Sequence, residues 1–144
     1  MDRARRQWGA NVRPATVFAA LLVVAILGYG IASQNSNGDD SRTVSVVSRL
    51  PGSDAQLELT KDSATLRAEG VPQLPAGSVY QVWVQTGADA PEASSTFRPG
   101  PAGSASAAVP GGLHGGDLFT VTRERGPGSP FPGSRAVYAA QIPH

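Results

Sequence analysis

The sequence predicts an all-β fold: an Ig-like antiparallel β-sandwich of 7-8 short strands, preceded by a single N-terminal transmembrane helix. Three observations carry that reading. After residue 42 the apolar residues recur with a period of two, as on strands with one buried face. Glycine and proline, 17 and 12 of 144 residues, fall between these runs at turn spacing. Upstream, one stretch is apolar with no period at all, which suits a helix surrounded by lipid.

Residues 1–13 form a short basic segment, with Arg3, Arg5, Arg6 and Arg13 against Asp2. Residues 14–32 are the expected membrane helix. No charged side chain occurs from Pro14 to Gly38, and Val17, Phe18, Leu21, Leu22, Val23, Val24, Ile26 and Leu27 cover every face of a helical cylinder. The apolar run from Ala15 to Ala32 reaches roughly 27 Å at about 1.5 Å per residue, close to the thickness of a bilayer's hydrocarbon core. Arginines before the run and Asp39 and Asp40 after it place the N-terminus in the cytoplasm and the C-terminal domain outside the cell (plasma) membrane. A cleaved signal peptide shares this order of regions, and Gly30-Ile31-Ala32 offers a small-x-small cleavage site. The run is longer than the usual h-region of about 7–15 residues, so an uncleaved, single-pass anchor is the expectation. Arg5-Arg6 lacks the flanking residues of a twin-arginine signal. Residues 33–42 are small and polar and read as a flexible tether.

The remainder, 43–144, reads as the sheet domain. Leu57 and Leu59 alternate with polar residues, as do Ala64, Leu66 and Ala68, with only Lys61 and Asp62 as the loop of a tight hairpin. Lysine suits poorly the positive φ that a type I′ turn demands. Further strands are expected at Thr43 to Arg49, Val79 to Gln85, Ser94 to Arg98, Ser104 to Val109, Leu118 to Arg123 and Ala136 to Ile142. The run from Val79 to Val84 has apolar groups on both faces and belongs in the middle of a sheet. Trp83, Tyr80, Phe97, Phe119 and Tyr138 are the large side chains available to fill a core otherwise rich in alanine.

Little in the sequence points to catalysis. Cysteine is absent, which excludes disulfides, thiolate nucleophiles and lipid anchors on cysteine. A zinc site made of His114, His144 and an aspartate such as Asp117 is conceivable, but neither histidine has a neighbour at ligand spacing and both read as solvated loop histidines. No serine sits in a Gly-x-Ser-x-Gly elbow, and the glycine-rich loops near Gly100 and from Gly111 to Gly116 lack the Gly-Lys-Ser/Thr ending of a phosphate loop. Glu58, Glu69 and Glu124 read as carboxylates on a solvated outer face. The patch Arg123-Glu124-Arg125 is too small to bind nucleic acid at physiological salt. A non-enzymatic protein follows, with no catalytic, cofactor-binding or metal-binding residue, no cofactor and no nucleic-acid partner; the lipid bilayer is its expected partner.

The run Leu74-Pro75-Ala76-Gly77-Ser78-Val79-Tyr80-Gln81-Val82-Trp83-Val84 resembles the "LPAG-x-x-YQ-L-W-L" signature of the extracytoplasmic C-terminal domain of anti-sigma-K factors of the RskA type. Phe97-Arg98-Pro99 with its glycine turn, Asp117-Leu118-Phe119-Thr120-Val121-Thr122, and Gly128-Ser129-Pro130 with Pro132-Gly133 are similar to later elements of that family, in the same order. Together they cover roughly residues 43 to 143. The resemblance implies a single-pass regulator of sigma factor activity and transcription, released by a site-1 protease outside the membrane and an intramembrane protease within it. It also implies a cytoplasmic sigma-binding domain. The 13 residues before the apolar run are too few for one and carry no His-x3-Cys-x2-Cys zinc element, so that domain is expected to be missing or on a separate chain. The alternative is a non-catalytic cell-envelope binding or structural β-sandwich, anchored or secreted.

Overall fold

The computed structural model describes Ser33–Asn35 and residues 40–144. The basic segment 1–13 and the expected membrane helix 14–32 lie outside the described residues, and among the described residues no helix is long and apolar enough to cross a membrane. The described chain is all-β. In order it forms β1 (Ser33–Asn35), β2 (Arg42–Ser48), β3 (Asp54–Leu59), β4 (Ser63–Glu69), β5 (Ser78–Gln85), β6 (Glu92–Phe97), β7 (Ala105–Pro110), β8 (Leu118–Arg125) and β9 (Tyr138–Gln141). Every pairing is antiparallel.

All the strands expected from period two are present, within a few residues of their expected ends. Ser33–Asn35, read from the sequence as part of the tether, instead pair with Arg42, Thr43 and Val44. Backbone hydrogen bonding at a sheet edge needs no apolar side chains, so a polar triplet with no alternation gave no warning. The β3–β4 hairpin is in the expected register, with Leu59 opposite Ala64. It avoids the conformation that lysine resists: among the described residues none other than glycine has a positive φ. The turn is closed by the Thr60 amide donating to the Ser63 carbonyl at 2.8 Å and by a hydrogen bond of 2.7 Å between the two hydroxyls.

The arrangement of strands differs from the expected Ig-like sandwich of two separate sheets. Eight strands follow one path, β6-β5-β8-β9-β2-β3-β4-β7, with β1 attached to β2 off that path. The physical reason lies in β2. Its Arg42 to Val46 pair with β3, while its Val47 and Ser48 pair with β9, so one strand turns the corner that two sheets would leave open. The far edges then approach one another, and the Ser95 hydroxyl of β6 donates to the Ala108 carbonyl of β7 at 2.6 Å. The sheet is a nearly closed barrel.

Period two fills that barrel. Val44, Leu57, Leu59, Leu66 and Val109 face Tyr80, Val82, Phe119, Val121 and Tyr138, all fully or almost fully buried, and Tyr80 stacks on Phe97 with ring centroids 5.3 Å apart. Trp83 is buried as expected, but it alternates with Tyr80 and Val82 and so lies on the opposite face of β5, outside this central cluster.

Tyr138 is pinned where β3 begins and β4 ends. Its hydroxyl hydrogen-bonds the Ser53 hydroxyl, which donates in turn to the Glu69 carbonyl at 2.8 Å. Burial pushes the phenol above the ordinary tyrosine value, and the Ser53 hydrogen bond only partly opposes this. The unfolded phenol ionises near pH ~10 while the folded one still holds its proton, so this contribution is intact below ~10 and is lost as pH rises through the folded value. Thermal midpoints measured at pH 8 and above pH ~10.5 should therefore fall more steeply for the wild type than for Tyr138→Phe. Equal slopes would mean that the phenol titrates as if exposed.

Candidate functional site

Strand directions define two ends of the barrel. At one end β2 begins, beside the β3–β4 turn and the loop before β8; at the other β5 begins, β8 ends and β9 is entered. The far end carries a cleft of about 540 Å³. Its walls include Leu74 and Pro75 before β5, Arg123 to Arg125 at the end of β8, and Ser129 and Gly133 of the loop that joins β8 to β9.

The loop is held against the outer face of β5 and β8 by a buried polar network. Glu124, expected on a solvated face, is 93% buried, and the loop covering it is the reason. One carboxylate oxygen accepts from the Thr122 hydroxyl at 2.6 Å and the Gly133 amide at 2.8 Å; the other accepts from the Ser129 hydroxyl at 3.0 Å. Trp83 Nε1 donates to the Thr122 hydroxyl at 2.8 Å, extending the chain across the sheet. The Gln81 side chain donates to the Ser129 carbonyl at 2.9 Å and accepts from the Ser129 amide at 2.8 Å. Gly133 is required by close approach, because a Cβ there would stand 2.8 Å from Glu124 Oε2.

A buried carboxylate with no ion-pair partner among the described residues is costly unless its lone pairs are filled, and three donors fill them here. Glu124→Ala removes the acceptor for the Gly133 amide and the two hydroxyls. We expect a loss of about 1–3 kcal/mol in denaturant unfolding, with faster hydrogen exchange at the amides of Ser129 and Gly133. Glu124→Gln keeps one oxygen and should lose less; equal exchange in all three proteins would show that the loop does not depend on this carboxylate.

The opposite wall is tied by Arg98, whose guanidinium donates to the Ser78 carbonyl at 2.5 Å and the Leu74 carbonyl at 3.1 Å. Tyr80 OH donates to the Pro72 carbonyl at 2.8 Å, and the Gln73 side chain to the Gly100 carbonyl at 2.6 Å. The segments singled out in the sequence around Leu74, Tyr80, Arg98 and Ser129 thus converge on one end of the barrel, although they are far apart along the chain.

The other residues weighed for chemistry take structural roles. Glu58 is paired with Arg67 at 2.9 Å on the surface, and Glu69 is exposed, accepting from the Ser104 hydroxyl at 3.0 Å. Asp117 is buried and accepts from the Thr86 hydroxyl at 3.0 Å and the His114 amide at 2.9 Å. The His114 ring is largely exposed, with Nδ1 3.7 Å from the Asp117 carboxylate, and the His144 ring lies against Gly116. Both histidines are thus brought to the near end of the barrel, yet among the described residues no three His, Asp or Glu side chains converge as metal ligands. What the sequence did not indicate is the exposure of Phe131, the exposed large hydrophobic residue among those described, at the tip of the anchored loop. Its only signal was position, between Pro130 and Pro132.

A family model described as "Anti-sigma-K factor rskA, C-terminal" matches residues 15–137, which takes in the apolar run as well as most of the barrel. No curated protein and no solved structure matches the chain.

Proposed function

Because the chain belongs to the anti-sigma-K factor RskA C-terminal family, we propose that its barrel is the extracytoplasmic part of a single-pass membrane regulator of sigma factor activity. It acts without catalysis, through a cytoplasmic sigma-binding partner and through proteolysis that releases the sigma factor. The observation that carries this reading is the span of the family match, which runs from the apolar stretch through most of the barrel. Arg3, Arg5, Arg6 and Arg13 before that stretch, and Asp39 and Asp40 after it, support an N-terminus in the cytoplasm.

The test has two arms. The full chain carrying a C-terminal tag should fractionate with plasma membrane, and protease added outside spheroplasts should remove the tag. Deleting the chromosomal copy should change transcription from a promoter dependent on an extracytoplasmic-function sigma factor, and the anchored chain should restore it. Recovery of the full-length chain as a freely dissolved cytosolic protein would overturn the topology. Correct topology with unchanged sigma-dependent transcription would overturn the regulatory role and leave an envelope module.

A further inference from the structure

We propose that β1 is a mask: pairing with β2 withholds Ser33–Asn35 from a protease acting outside the membrane, and this stretch becomes a substrate only when β1 leaves the sheet. The inference deepens the regulatory reading, because it rests on the extracytoplasmic cleavage which that reading includes.

The sheet register carries it. The apolar run ends at Ala32, so β1 is the first strand after it. Ser33, Gln34 and Asn35 lie opposite Val44, Thr43 and Arg42. The same three residues of β2 also pair with β3, so β1 occupies the other edge of β2. That is the edge on which β9 pairs farther along, at Val47 and Ser48. β1 therefore fills the part of the edge that β9 leaves open, in the corner where β2 crosses between the two halves of the barrel. Arg42 closes the same corner by donating to the Pro143 carbonyl at 3.2 Å. A segment that would otherwise read as plain linker is thereby built into the ladder of the domain it joins.

The consequence follows from how peptide bonds are recognised. A protease takes its substrate as an extended strand and holds it by main-chain hydrogen bonds, as in strand addition to a sheet edge. The N–H and C=O groups that β1 directs at β2 are already used, so the enzyme competes with the barrel for them. Three paired residues at an edge make a weak lock, and such elements open locally at free energies far below that of global unfolding. Susceptibility then follows the population of detached β1, which any event that loosens or tightens the β2–β9 corner will shift.

The absence of cysteine supplies the experiment. Gln34→Cys/Thr43→Cys places two thiols at directly opposed positions, where Cα atoms stand about 4.5–5.5 Å apart, within the range a disulfide spans. Thr43 lies on the face of β2 opposite the buried Val44, so the core is spared. The full chain in lipid nanodiscs is digested briefly with proteinase K, and the first cuts are located by mass spectrometry after reduction. A synthetic peptide of residues 31–42 is the unpaired reference. Cutting within Ser33–Asn35 should be at least about tenfold slower in the wild type than in the peptide, and oxidation should slow it further, at least about threefold, relative to the same variant reduced. Wild-type cutting as fast as that of the peptide would overturn the mask. So would cutting of the reduced variant that oxidation does not slow, or failure of the two thiols to join in the folded chain. None of these measurements involves a sigma factor or a host protease, so failure of the mask is distinguished from failure of the regulatory role.

Discussion

Trp83→Ala is expected to lower the unfolding free energy by about 3–5 kcal/mol, a large part of the 5–15 kcal/mol typical of a domain. Trp83 is fully buried, and its indole N–H donates to Thr122, which donates to Glu124. Truncation therefore opens a cavity and removes one end of the network that holds the β8–β9 loop. Because Trp83 lies on the face of β5 opposite Tyr80, the damage should fall on that loop as well as on global stability. Trp83→Phe separates the contributions: it keeps much of the volume and loses the N–H, for an expected cost of about 1–2 kcal/mol. Urea unfolding followed by far-ultraviolet circular dichroism measures both. A Trp83→Ala cost below about 1 kcal/mol would mean that the indole is not packed as described.

Gly70→Ala is the second large effect, expected at about 2–5 kcal/mol from two sources that add. Gly70 has φ +66°, a conformation costing an alanine about 1–2 kcal/mol. A Cβ there would also run into the carbonyl oxygen of Gly52 and stand 3.3 Å from Ser53 Cα, so backbone must move, at about 1–3 kcal/mol. The shift would be felt at Ser53, which links Glu69 to Tyr138. Gly52 is the internal control. Its φ is +74°, but nothing lies within 4 Å of a Cβ built there, so Gly52→Ala should show only the conformational cost. If the two substitutions cost the same, close approach contributes nothing at Gly70.

The strands were legible because alternation is a local property. Leu57 and Leu59 on one strand, and Ala64, Leu66 and Ala68 on the next, declare their buried face without knowledge of their partners. The polar triplet Ser33–Asn35 was invisible for the same reason: pairing with β2 makes it a strand, and nothing within it does. The segments around Leu74, Tyr80, Arg98 and Ser129 could be recognised as a family pattern, but that they meet at one end of the barrel is a consequence of strand order. Glu124 is the clearest miss. On a strand it alternates outward, which ordinarily means solvent, and only the return of the loop from Gly126 to Arg135 over that face buries it.

By itself the sequence determined the all-β character, the strand positions, the apolar run and the family, because each depends on side-chain chemistry at short range along the chain. The tertiary structure alone decided that β2 turns a corner to close the sheet into a barrel, that Glu124 is buried, and which charged residues share an end of the barrel. The physical reason is that sheet closure, burial and surface charge all depend on which strands become neighbours. Hydrogen bonds between distant segments settle that, and no local periodicity encodes it.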